Sequence, residues 1–195
     1  MKRSVLDFST PAAGFDQPLE LWGACHGRVR RMIGLLQRLA EHLAKSGVDR
    51  DARTTATSIR RYFDEAAPHH HADEEVDLFP RLRERAGHLD AAHAQRLTEA
   101  LAVLERDHAE LADVWQSLRE SLTQIEHGKP TQLDAPTVEL FVGRYEAHMQ
   151  IEESVVEPAL KRLLRKSDLA AIGRSMAQRR GVDWSEISAG PGAAG

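Results

Sequence analysis

The chain has 195 residues, enough for one domain with a sizeable core. Charged residues make up 29% and aromatic residues only 5%, a mixture that favours a helical protein over a β-sandwich or barrel. The net charge of −4 and the lack of a long basic block argue against nucleic acid as a partner. A single cysteine excludes an internal disulfide, and no apolar stretch reaches the roughly 20 residues of a membrane span. We therefore expect a cytoplasmic protein without membrane contact.

Apolar residues recur at steps of three and four along four long segments, which predicts amphipathic helices. In chain order, these helices are predicted over residues 18–46, 51–86 and 90–128, with a fourth from residue 134 and a short one over residues 167–181. The connections are short, so an all-α, up-down-up-down four-helix bundle with a short C-terminal helix is the simplest packing. We expect an N-terminal arm (1–15), the bundle (16–166), the short helix (167–181) and a flexible tail (182–195).

Two further features of these helices are local. Asp16 is the predicted cap of the first helix. Prolines 68, 80 and 158 stand inside helical patterns, so we expect kinks near them.

Each long helix carries a histidine on its apolar stripe, and two helices add a glutamate one turn later. The residues are His26, His70, His108 and His148, with Glu74 and Glu152. Neighbouring histidines lie at nearly equal distances from the connecting turns, so an antiparallel bundle brings all four into one cross-section. An unpaired carboxylate in an apolar core is costly. The layer therefore indicates a metal site, with a hydrogen-bonded polar network as the alternative.

The segments around the two glutamates form an internal repeat. HHHADEEVDLFP and HMQIEESVVEP share the pattern His-x-x-x-Glu-Glu followed by a proline. Four imidazoles and two carboxylates without thiolate suit iron, with manganese or zinc as possible substitutes. Because the carboxylates lie between the histidines, they are able to bridge two metals. A register shift that turns His71 and Glu75 inward instead remains open.

The chain resembles the hemerythrin-like family, also called the HHE cation-binding domain, over roughly residues 18 to 164. The resemblance rests on His26, HHxxEExxLFP, the Asp107–His108 region and HMxxEExxxEP. It implies two iron ions in a non-haem di-iron centre, bridged by two carboxylates and an oxo or hydroxo group. It also implies one iron on His26 and His70, and the other on His108 and His148. Glu74 and Glu152 are then the bridges. The ferritin-like signature Glu-x-x-His has a different order and spacing.

Two departures from the oxygen-carrying members bear on function. Leu104 stands where those proteins have a second histidine, and Glu152 follows His148 by four residues rather than five. One iron is then more open, with water or a side chain such as Glu105 in the free position. We therefore expect binding or sensing of dioxygen, nitric oxide or peroxide. An enzyme that consumes peroxide or oxygen, and an iron storage or iron-centre repair protein, are the alternatives.

Overall fold

A computed structural model describes residues 14–184. Over that range the chain forms five helices and no strand, so the all-α prediction is confirmed. Helix α1 is Pro18–Ser46, α3 is Ala91–Glu126 and α5 is Lys166–Arg179. Helix α2 comprises Arg50–Arg61, Ala67–Ala72 and Phe79–Arg85, joined by π-helical turns at Tyr62–Ala66 and Asp73–Leu78, and ends in a 3₁₀ turn at Ala86–His88. Helix α4 comprises Ala135–Ile151 and Glu157–Leu163, joined by a π-helical turn at Glu152–Val156.

Helices α1 to α4 pack as neighbours in the order of the chain, and α4 also packs against α1, which closes the bundle. Most of the predicted arm (1–15) and of the predicted tail (182–195) lies outside the described residues. No helix within residues 14–184 combines the length and the apolar character needed to cross a bilayer.

Local chemistry sets the helix ends. Asp49, Asp90 and Asp134 accept backbone N–H bonds in the first turns of α2, α3 and α4, as capping residues do. Helix α1 begins after Gln17, whose side chain makes no capping bond, so the prediction of Asp16 as cap is wrong. Pro18 at the first helical position stabilises this end instead, because its fixed φ suits a helix and its missing N–H needs no partner there.

The three prolines inside α2 and α4 are accommodated by π-helical turns. Each proline is the second residue of an α-helical segment, directly after a π turn. The residue before each proline donates its N–H to the carbonyl five residues earlier: Ala67 to Tyr62, Phe79 to Glu74, and Glu157 to Glu152. The wider turn accommodates a proline ring that would otherwise meet the carbonyl four residues before it. The expected disturbances are therefore π turns, and two of them begin at or beside the repeated glutamates.

The core consists of two apolar clusters with the polar layer between them. One cluster, at the end of the bundle that holds the α1–α2 turn, includes Leu36, Ile59, Phe63, Trp115 and Phe141. The other includes Trp22, Phe79, Leu101, Val156 and Leu160. Burial on both sides holds the polar layer away from bulk water, and burial of apolar area supplies most of the stability of such a bundle.

Helix α5 packs across the bundle beside the second cluster. Ile172 and Met176 are fully buried there among residues from the other helices. The sequence predicted its start at Ser167, but the helix begins at Lys166, after Arg165. The N–H of Arg165 donates to Oδ2 of Asp168 at 2.8 Å, which satisfies a backbone group at this helix start.

Candidate metal centre

The six side chains singled out by the sequence meet inside the bundle. Their exposed fractions lie between 0% and 6%. His26 comes from α1, His70 and Glu74 from α2, His108 from α3, and His148 and Glu152 from α4. The antiparallel register thus brings the four helices to the same level at these positions.

Glu74 connects two helices through its two carboxylate oxygens. Oε1 lies 3.2 Å from Nε2 of His70 on its own helix, and Oε2 lies 3.2 Å from Nε2 of His108 on α3. Oε1 also accepts a hydrogen bond of 2.5 Å from the indole N–H of Trp22. This contact of Trp22 was not among those predicted from the sequence. The available signal was its place on the α1 stripe, one turn before His26.

Glu152 makes the equivalent connection on the opposite side of the layer. Oε2 lies 3.3 Å from Nε2 of His26, and Oε1 lies 3.5 Å from Nε2 of His148. Burial raises the pKa of this carboxyl, but the adjacent imidazoles of His148 and His26 outweigh burial, so its pKa lies well below the usual range. Glu152 is thus an anion with no exposed surface.

The polar atoms of the layer separate into two groups, each with ligand atoms within 4.8 Å of one another. One group is His26, His70, Glu74 and Glu152, and the other is His71, His108 and His148. Each glutamate reaches a histidine of both groups, as the distances above give. Glu74 and Glu152 therefore connect the two groups.

His71 belongs to the second group. From the sequence it remained open whether His71 turns inward. Its ring stacks on His108, with centroids 4.0 Å apart and planes inclined by 9°, and its centroid lies 6.0 Å from that of His148. A continuous α-helical phase places His71 about 100° from His70. The π turns on both sides of Ala67–Ala72 shift the phase of this segment relative to the rest of α2, and within it His70 joins the first group and His71 the second.

The second acid of each Glu-Glu pair supports a histidine on another helix. Glu75 Oε1 lies 2.6 Å from Nδ1 of His108, and Glu153 Oε1 lies 3.1 Å from Nδ1 of His26. Arg30 holds the other oxygen of Glu153 at 2.8 Å. A carboxylate on Nδ1 fixes the tautomer and the orientation of an imidazole, leaving Nε2 directed at the centre. The internal repeat therefore supplies both an inner and an outer carboxylate in each copy.

The position near Leu104 differs from the sequence-based expectation. Leu104 is fully buried within the second apolar cluster. Glu105 does not enter the layer: its Oε2 binds Nη2 of Arg83 at 2.7 Å, and both side chains are more than a third exposed. The suggestion that Glu105 fills an open iron position is wrong, because the next residue on a helix points about 100° away. His71 lies beside His108 instead.

A buried ion network ties α5 to the π turn that contains Glu74. Arg180 donates to Asp73 at 2.6 and 3.0 Å, and Arg179 donates to Asp77 at 2.8 Å and also binds Asp73. Both aspartates are almost completely buried. Sequence periodicity gave no signal for this network except the spacing of four between Asp73 and Asp77. The short helix therefore holds one side of the layer in place.

Burial and neighbouring carboxylates shift the pKa values of the histidines in opposite directions. Burial lowers the pKa of His70 to about 4 and lowers that of His71 as well. Burial also lowers the pKa of His108, but the adjacent carboxylates of Glu74 and Glu75 outweigh it and raise the pKa to about 9. Contacts with Glu152 likewise raise the pKa of His26 and of His148 against the effect of burial.

Comparison with known proteins bears on this geometry. The model of the family "Hemerythrin HHE cation binding domain" matches residues 17–174, most of the chain. The chain belongs to this family. An uncharacterized protein of Haemophilus influenzae is 30% identical to this hemerythrin-like chain over 170 residues, which are 87% of the chain and 94% of that protein.

The hemerythrin-like layer contains many polar atoms that the protein itself does not satisfy. Atoms buried without a hydrogen-bond partner include Nε2 of His26, His71, His108 and His148, Oε2 of Glu74, and both carboxylate oxygens of Glu152. Leaving such atoms unpaired costs about 1–3 kcal/mol each, and more for charged groups. Imidazole nitrogens and carboxylate oxygens directed at shared points satisfy cations. The donor set of this chain fits metal ions, as the family's cation-binding description implies.

Proposed function

We propose that this chain is a non-haem di-iron protein that binds or senses dioxygen or a related small ligand, nitric oxide or peroxide. One observation carries the proposal. Each of the two buried glutamates, Glu74 and Glu152, directs one oxygen to a histidine of each ligand group. A single metal would not require two carboxylates in that double arrangement, whereas a bridged pair does.

The proposed ligand set keeps the six residues of the sequence prediction and adds His71. His26 and His70 would hold one metal, His71, His108 and His148 would hold the other, and Glu74 and Glu152 would contribute an oxygen to each. Three imidazoles at the second metal and two at the first make the sites inequivalent. This asymmetry supports different roles for the two metals in ligand binding.

The metal we propose is iron, with manganese or zinc as substitutes, because the donors are nitrogen and oxygen without thiolate. When bound, iron supplies a reversible one-electron change at each metal and a coordination position for an exogenous ligand. The chain's own residues have three tasks. Trp22 holds Glu74 through its N–H, the outer carboxylates orient the imidazoles, and the two apolar clusters exclude water. The single buried cysteine fits a cytoplasmic setting.

Metal quantification after anaerobic iron loading tests the proposal, together with optical spectra before and after addition of oxygen, nitric oxide or azide. We expect about two iron ions per chain and a spectral change with at least one ligand. His70→Ala and His108→Ala should each lose metal. His93→Ala is the matched control, because His93 is exposed and its imidazole contacts Asp90 at the start of α3. Less than about one transition-metal ion per loaded chain would reject the centre, and unchanged spectra would reject ligand binding.

A further inference from the structure

A pocket opens between α2 and α3 and ends beside the second histidine group. Its volume is about 190 Å³. The exposed residues Pro68, Ala112 and Gln116 form its mouth, and His71 and Tyr145 contribute to its lining deeper in the bundle. The pocket therefore connects the protein surface with the three-histidine group rather than with the group that contains His26.

Most of the side chains that line this pocket are apolar, and its aromatic rings are held in place. The ring of Phe63 contacts Trp115 and Tyr145, with centroids 5.0 and 5.4 Å apart. The indole N–H of Trp115 donates to Oδ1 of Asp64 at 3.0 Å, which fixes the ring at the pocket wall. Aromatic side chains locked by such contacts form a preorganised site.

Charge in the lining is already neutralised. Asp64 lines the pocket, but its carboxylate accepts from Trp115, from Arg119 at 2.9 Å and from Arg60 at 3.0 Å. Neither a free cation-binding carboxylate nor a free guanidinium therefore faces an occupant from these groups. Desolvating a charged molecule in such a pocket would be costly, so an uncharged occupant is favoured.

The size of the pocket sets an upper limit on its occupant. An apolar cavity of about 150 Å³ engineered into another protein stays dry and binds benzene or xenon. This pocket is somewhat larger. It accommodates any diatomic molecule with room to spare, and also a short organic molecule of about six non-hydrogen atoms.

His71 provides an imidazole at the inner end of this pocket. Its ring stacks on that of His108, and its Nε2 is buried without a hydrogen-bond partner. We propose that the pocket admits and holds a small uncharged molecule with an apolar body, up to the size of benzene, next to the three-histidine group. Exogenous ligands then reach the centre from the α2–α3 face and meet the second metal first, a step that rests on the proposed di-iron function.

Xenon tests the pocket directly and requires no metal. In crystals pressurised with xenon, we expect an anomalous peak between Phe63, Ala67 and Trp115, in metal-free and iron-loaded protein alike. Xenon bound only elsewhere, or no xenon in the molecule, would overturn the pocket as a ligand site. The result does not depend on whether the protein binds iron.

A bulky side chain at the mouth of the pocket tests whether ligands reach the centre through it. Ala112→Phe places a ring over the entrance, and Ala109→Phe is the matched control, because Ala109 is exposed on the same helix but does not line the pocket. In iron-loaded protein, we expect the association rate of nitric oxide to fall at least about tenfold in the first variant and to stay unchanged in the second. An unchanged rate in Ala112→Phe at full iron content would overturn entry by this face. Failure of the wild-type protein to bind iron would instead reject the proposed function and leave the xenon result to decide the pocket.

Discussion

Glu74 Oε2 lies 3.2 Å from Nε2 of His108, although the two residues belong to different helices and to different ligand groups. The other oxygen of Glu74 faces His70 at 3.2 Å, so the carboxylate spans the boundary between the two groups. Glu152 repeats this arrangement from the opposite side. Removing a bridging carboxylate and removing a terminal histidine should therefore have different consequences.

Glu74→Gln should weaken both metal sites, because one substitution removes an anionic oxygen from each. We expect iron content to fall from about two to well below one per chain, whereas His108→Ala should retain metal at the first site. Metal analysis after gel filtration measures both. The control is Glu99→Gln on the exposed face of α3, which should keep full metal content. Equal losses in Glu74→Gln and His108→Ala would speak against bridging.

The outer carboxylates, Glu75 and Glu153, should strengthen metal binding without being required for it. Glu75→Gln and Glu153→Gln leave all inner side chains in place but remove the anion that holds Nδ1 of His108 or of His26. We expect about 10- to 100-fold weaker metal binding in each variant, the usual effect of losing such support. Competition with a chromogenic chelator measures the change. Affinity within twofold of wild type in both variants would contradict the role.

The ion network between α5 and α2 should be important for stability. Arg179→Met removes one of the two arginine partners of Asp77 and one of the two of Asp73, because Arg81 and Arg180 remain. Both buried carboxylates are then undersatisfied. We expect a loss of roughly 2 kcal/mol in the free energy of unfolding. Lys166→Met, at the exposed start of the same helix, is the control and should change it by less than about 0.5 kcal/mol. Urea denaturation of the metal-free proteins separates this effect from metal binding.

Asp64 should make stability depend on pH in the acid range. Burial raises its pKa, but hydrogen bonds from Arg119 and Trp115 outweigh burial, so the folded-state pKa lies below the usual value. Its stabilisation is therefore complete above the unfolded pKa of about 4 and is lost as pH falls through the lower folded-state pKa. In Asp64→Asn, we expect about 1–2 kcal/mol less stability at neutral pH and a smaller decline on acidification. A wild-type decline equal to that of the variant would remove Asp64 as its cause.

The bundle and most of its polar layer could be predicted because both follow from the regular spacing of residues along each helix. The stripes of α1, α3 and α4 keep the helical repeat long enough to place His26, His108 and His148 at one level. His71 could not be placed in this way, because the π turns before and after it change the number of residues per turn. The prolines pointed to these disturbances but not to the direction in which they rotate the chain.

The contacts of α5 with the other helices could not be predicted from the spacing of its apolar residues. Its apolar positions, Ile172 and Met176, indicate that one face is buried but do not identify the surface that covers it. The pairs that Arg179 and Arg180 make with the Asp73 turn depend on this docking. Trp22 is an intermediate case: its helical phase placed it on the buried stripe of α1, but that phase does not show that it meets Glu74 on α2.

The most direct test of the di-metal centre is a crystal structure of the iron-loaded protein with anomalous data at the iron edge. We expect two iron peaks in the polar layer, one beside His26 and His70 and the other beside His71, His108 and His148. Both glutamates should contact both peaks. A single peak, or none within the layer, would contradict the di-iron centre.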